Sequence, residues 1–104
     1  HAQGRLSLQH LVDLTSHGAN RLFNLRDKGR LALGYHGDFT IVDMKKRWTI
    51  TNDWLAGKCG WSPFEDMDIV GKPVGTFIRG EMVMWNDELI GQPQGVPVQF
   101  QELI

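Results

Sequence analysis

The residues able to do chemistry are few and scattered. Four histidines stand at His1, His10, His17 and His36. His10 and His17 are seven positions apart, two turns of a helix, a spacing too long for sharing one metal ion. The chain has no H-x-H, H-E-x-x-H or C-x-x-C, so no zinc-ligand pattern is present. His10 and His17 therefore read as partly exposed helix residues. Cys59 in "KCGW" has Lys58 beside it, which favours a thiolate, but no histidine lies near it in sequence. It reads as a structural cysteine. Asp38, Asp43, Asp53, Glu65, Asp66 and Asp68 have no partner base in sequence and read as turn and surface residues. Trp48, Trp54, Trp61 and Trp85 read as core, or as plugs between packed units, in preference to a ligand platform. "GKPVGT" (71–76) has glycine and lysine but lacks G-x-x-x-x-G-K-[ST] and leads into a strand, so it is not a phosphate loop. The sharpest candidate is His36 beside Asp38 within "GRLALGYHGDFTIVD" (29–43). No complete catalytic constellation results. No catalytic, cofactor-binding or metal-ligating residue is assigned to this chain.

The elements that would have to position such groups begin with a helix. Ser7 is an N-cap residue, Leu6 and Leu11 are spaced for a hydrophobic staple, and Leu8, Leu11, Val12 and Thr15 share a face. Gly18 is expected to end this helix in a left-handed conformation. A second short helix over 19–25 presents Ala19, Leu22 and Phe23 on one side, and the polar "RDKGR" (26–30) follows. The period then changes to two. Strands are expected over 38–44 and 47–51, joined through Lys45 and Lys46. An irregular insert covers 52–66. A hairpin follows, with strands over 74–79 and 82–85 and its turn near Gly80 and Glu81. Arg79 is expected to alternate out of its strand, towards solvent or a neighbouring domain. Residues 86–88 make a further turn, and the tail, with two of the four prolines, reads as an extended surface strap. The order is α-α-β-β-loop-β-β, an α+β chain.

At 104 residues the chain is long enough for one ordinary domain. With 41% hydrophobic and 22% charged residues and a net charge of −1, it offers no basic patch for nucleic acid or an anionic membrane. No apolar run approaches the roughly 20 residues that span a bilayer, and "HAQGRLSLQH" has no apolar signal-peptide segment. A single cysteine excludes an internal disulfide and fits a reducing compartment. Four short strands and two helices make a thin core with open strand edges. The chain also begins with His1, not Met, and enters a helix pattern within a few residues. Both features lead to the expectation of a piece of a longer protein.

"KGRLALGYHGDFTIVD" (28–43), followed at a distance by "PVGTFIRGEMVM" (73–84), resembles the C-terminal part of the amidohydrolase superfamily. "LSLQHLVDLTSHGANRLFNL" (6–25) looks like the two helices that precede it there. "CGWSPFEDMDIVGKPVGT" (59–76) and "QPQGVPVQF" (92–100) bring the resemblance closest to the dihydroorotase branch. The chain departs from the family at His36 and Gly37, where an acidic residue and alanine are usual, and at Ala19, where proline is usual. All three positions read as turns. The resemblance implies a parent with a zinc-bearing (β/α)8 barrel and a small composite β-domain. Residues 1–27 would be the closing helices of the barrel. Residues 28–104 would be the C-terminal share of an antiparallel β-sheet or sandwich. The family's metal ligands and its general-base aspartate would lie upstream, so no site residue carries over to this chain. The implied activity is reversible hydrolysis of dihydroorotate to N-carbamoyl-aspartate, in pyrimidine biosynthesis, hence cytoplasmic. The implied partners are the remainder of the barrel and these substrates, with homo-oligomerisation left open. Two other readings stand beside it: an allantoinase- or dihydropyrimidinase-type enzyme of the same superfamily, and a non-catalytic assembly domain whose sheet edge pairs with another chain. On the leading reading His36 is a turn residue. His36→Ala should then leave turnover of the full-length protein near wild type, and a loss of about 100-fold at unchanged stability contradicts the assignment.

Overall fold

The computed structural model describes residues 3–101, so His1 lies outside the described residues. One helical run opens the chain: α1 (Leu8–Val12), a π-helical turn (Asp13–His17) and α2 (Gly18–Phe23), with right-handed backbone at each junction. Ser7 caps it as expected, its hydroxyl accepting the His10 N–H at 3.1 Å. Gly18 does not end the helix. Its φ is −62°, and its N–H donates to the Asp13 carbonyl, five residues back. That wider turn brings the Asp13 carbonyl so near that a Cβ on residue 18 would lie 2.5 Å from its oxygen. Glycine is required here for room, not for a positive φ. The run ends instead at Asn24, left-handed at φ 55°, a conformation asparagine tolerates. The two expected helices are thus one, because the residue that looked like a stop serves a widened turn.

Four antiparallel strands follow in the spatial order of their sequence: β1 (Phe39–Thr49), β2 (Asp68–Ile78), β3 (Glu81–Trp85) and β4 (Glu88–Leu89). The strands expected over 38–44 and 47–51 are one strand with a bulge. Asp43 Oδ1 accepts the N–H groups of Lys45 and Lys46 at 3.0 and 3.2 Å. Pairing with β2, interrupted after Asp43–Lys72, resumes at Arg47–Val70. β2 begins six residues earlier than the expected 74, so "GKPVGT" lies wholly within a strand.

Both hairpins turn on two left-handed residues, Arg79 and Gly80 (φ 48° and 80°), then Asn86 and Asp87 (φ 46° and 70°). That handedness matches the twist of the flanking strands. Arg79 is therefore a turn residue and not part of a strand, and the expected turn lies one residue earlier than Gly80–Glu81. β4 was not foreseen; it pairs Glu88 with Trp85 and Leu89 with Met84. The four strands form a single sheet, so the described residues do not themselves build a sandwich. The tail returns to the end of the helix. Phe100 pairs with Leu25, and the Arg26 N–H donates to the Gln99 carbonyl at 2.9 Å.

Among the described residues no hydrophobic side chain is buried, and the helical run does not pack on the sheet. Leu22, Leu31 and Leu33 are 74%, 74% and 102% exposed. The Cα radius of gyration is 15.7 Å, against about 13 Å for a compact chain of this size. Elsewhere in a helix Gly→Ala is stabilising. Here the sign reverses: Gly18→Ala should cost about 1–3 kcal/mol through overpacking against the Asp13 carbonyl. A fall in the denaturant midpoint checks this, and an unchanged or raised midpoint contradicts it.

Candidate functional site

The most organised side-chain cluster gathers around Lys72. β2 is an inner strand of the sheet, between β1 and β3, and its Lys72 is 7% exposed, the sole buried polar residue among those described. Its Nζ lies 4.8 Å from the ring centroid of Trp48 on β1 and 5.9 Å from that of Trp54, in a 3-10 turn (Asn52–Trp54) of the insert. Asp87, at the turn between β3 and β4, accepts from the ammonium at 2.6 Å. Its other oxygen accepts the Trp54 indole N–H at 2.8 Å. The Trp48 indole donates to the Gly71 carbonyl at 2.8 Å, and the two tryptophans meet edge to face with centroids 4.8 Å apart. A buried ammonium is costly unless its charge is met. Here one carboxylate and two aromatic faces meet it. Lys72 and Trp54, donating to it, hold the Asp87 carboxyl below the usual carboxylate range.

A second cluster joins the helical segment to the sheet. Asp38 accepts from the Lys28 ammonium and, at 2.8 Å, from the Arg79 backbone N–H. The Gly80 N–H donates to the Gly37 carbonyl at 2.9 Å beside it. Burial acts to raise the Asp38 pKa, but the Lys28 hydrogen bond and the Arg79 amide outweigh it and hold the carboxyl below its ordinary 3.8. The Arg79 guanidinium, expected at solvent or a domain contact, donates to the Gln94 carbonyl of the tail. Asp38 is thus a structural acceptor. His36, its sequence neighbour, is exposed and enters the turn through its backbone, the His36 N–H donating to the Asp27 carbonyl at 2.8 Å.

The other sequence candidates stay apart. His10 is exposed, and His17 is half-buried with its Nδ1 lacking a hydrogen-bond partner. Cys59 is exposed, not buried as a structural cysteine would be, with only a 3.6 Å contact from Sγ to the Trp61 carbonyl. Trp61 is 63% exposed, and Trp85 lies against Gly75, where a Cβ would come within 2.9 Å of its indole. Among the described residues no three His, Cys, Asp or Glu side chains gather as a metal would need. The residues present therefore do not fit the zinc centre that the resemblance implies for the parent. Sequence reasoning did not find the Lys72 cluster. Its partners are 15 to 24 positions away, and the available signal was an in-strand lysine in a chain with four tryptophans.

No protein-family model matches the chain. A dihydroorotase from Pyrococcus furiosus is 44% identical over 93 residues, which cover 89% of this chain and 22% of that protein. An allantoinase from Desulfitobacterium hafniense is 31% identical over 91 residues, covering 88% and 20%. The solved structure of an L-hydantoinase (dihydropyrimidinase) from Arthrobacter aurescens superposes with a TM-score of 0.82 at 30% identity, over 88% of this chain and 20% of that one. The chain is similar to one segment of each of these proteins, and it shares the fold of that segment in the L-hydantoinase. The dihydroorotase resembles it at higher identity than the allantoinase does. The chain spans about a fifth of the length of the relatives it matches.

The lowered Asp38 pKa has a sign that can be tested. Stabilisation from a depressed carboxyl is present above the unfolded value, near 3.8, and is lost as pH falls through the lower folded value. Asp38→Asn should therefore cost about 1–3 kcal/mol at neutral pH, and the loss should shrink as pH falls through the lower folded value. Urea midpoints across an acid pH series read the trend, and a loss that does not change with pH contradicts it.

Proposed function

We propose that this chain is the C-terminal portion of a dihydroorotase-type zinc amidohydrolase and serves as structure, not catalysis. Residues 1–27 act as closing helices of its (β/α)8 barrel. Residues 28–104 supply the C-terminal share of its β-domain. The whole protein reversibly hydrolyses the cyclic amide of dihydroorotate to N-carbamoyl-aspartate, in the cytoplasm. Its zinc ligands and general base lie outside this chain. The observation that carries the reading is the 44% identity to a dihydroorotase over most of the chain.

The physical character of the fold supports it. A chain whose helical run exposes Leu8, Val12, Leu22 and Phe23, and whose sheet encloses no apolar core, gains stability by packing on more protein. Among the described residues no helix is long and apolar enough to cross a membrane. The share supplied here is mechanical: the Asp38 junction fixes the direction in which the sheet leaves the helical run. The allantoinase relative at 31% identity supports a second reading, the same superfamily acting on another cyclic amide.

Turnover by the full-length protein on dihydroorotate, allantoin and a dihydropyrimidine, with its zinc content, tests both readings. Dihydroorotate should be the preferred substrate, and the 104-residue chain alone should be inactive and should bind an apolar dye. Preference for allantoin or the dihydropyrimidine supports the second reading. Turnover by the isolated chain contradicts the structural role, and no cyclic-amide turnover by the full-length protein leaves an assembly domain.

A further inference from the structure

Residues 50–67 leave the sheet after β1 and return at the start of β2. Two backbone bonds close the base of this insert: the Ile50 N–H donates to the Met67 carbonyl at 3.0 Å, and the Asp66 N–H to the Ile50 carbonyl at 2.8 Å. Beyond the base its bonds are internal. Leu55 N–H donates to Asn52, Glu65 N–H to the Ser62 carbonyl, Phe64 N–H to Ser62 Oγ, and Met67 N–H to Phe64. Among the described residues, Trp54 is the member of the insert with a side-chain hydrogen bond or ring contact to the sheet. Its indole N–H reaches Asp87, and its ring meets Trp48 and the Lys72 ammonium.

We propose that Lys72, Trp48, Trp54 and Asp87 form a clamp that holds the 50–67 insert on the sheet, and that the insert's own short turns open above its Ile50–Met67 base when the clamp breaks. The chemistry gives the clamp a two-state character. Closed, the Lys72 ammonium is buried and needs both the carboxylate and the aromatic faces, so losing one contact weakens the others. Asn52 Oδ1, two residues before Trp54, is buried without a hydrogen-bond partner, a penalty that opening of the insert would relieve by hydration. Trp61, Phe64 and Met67 stand exposed on the insert, so the clamp decides where three large apolar side chains are presented. Its release would add the faces of Trp48 and Trp54 to that surface. This device is independent of which cyclic amide the whole protein acts on.

Hydrogen exchange on the full-length protein, read by peptide, tests it with Lys72→Met and Trp54→Ala. In both variants the amides of Trp54, Leu55 and Met67 should exchange about tenfold faster. Those of β3 and of the β1–β2 ladder from Phe39 to Asp43 should keep wild-type protection. Unchanged exchange in the insert overturns the clamp, and so does an equal loss across the whole sheet in Trp54→Ala. Should Lys72→Met fail to fold, Trp54→Ala decides alone, since Trp54 is 40% exposed and is no part of the strand ladder.

Discussion

A lysine ammonium taken out of water is the constraint around which one end of this sheet is arranged. Lys72 sits on an inner strand, and its charge must be met wherever the backbone places it. Meeting it draws in three separate stretches of chain: Trp48 from β1, its indole bonded to the Gly71 carbonyl, Trp54 from the insert, and Asp87 from the last turn. Asp87 can reach because the turn between β3 and β4 holds it in a left-handed conformation, which aspartate accepts more readily than most residues. The cluster does what an apolar core does in an ordinary small domain. It ties elements distant in sequence to one another, here by charge and aromatic faces where buried apolar side chains are absent.

The rest of the architecture follows from the lack of an apolar core among the described residues. The helical run and the sheet do not pack together, so their relation depends on short polar links. Asp38 is the main one, accepting from Lys28 on one side and from the Arg79 amide in the first hairpin turn on the other. The Leu25–Phe100 pairing adds a second link through the tail. Such links set direction but bury little surface, and directional bonds alone contribute modestly to stability. The exposed leucines of the helical run and of residues 31 and 33 are what a supporting segment of a larger protein would present to its neighbours.

Local chemistry was legible where it depended on adjacent residues. Ser7 as a cap, the change of period after the helix, the hairpin near Gly80 and the turn at Asn86–Asp87 all follow from side-chain propensity acting within four or five positions. Other features were not, β4 and the Lys72 cluster among them. Gly18 looked like a helix stop because glycine commonly is one, whereas here it makes room for a carbonyl five residues back. The two short strands proved to be one because the Asp43 carboxylate takes up the Lys45 and Lys46 donors of the bulge, and pairing with β2 resumes beyond it at Arg47. For Asp38, read as a turn and surface residue, the sequence left unsaid what the carboxylate meets: a lysine and a turn amide.

The sequence by itself determined most element types, most turns and the similarity to a segment of dihydroorotases, because these are carried by local propensity and by runs of residues shared with relatives. Only the tertiary structure decided which charges are buried and what meets them. Lys72 is an unremarkable surface-type residue in sequence, and its partners are brought to it by strand register and by two left-handed turns. Burial is a property of where the chain returns, and no window of neighbouring residues contains it.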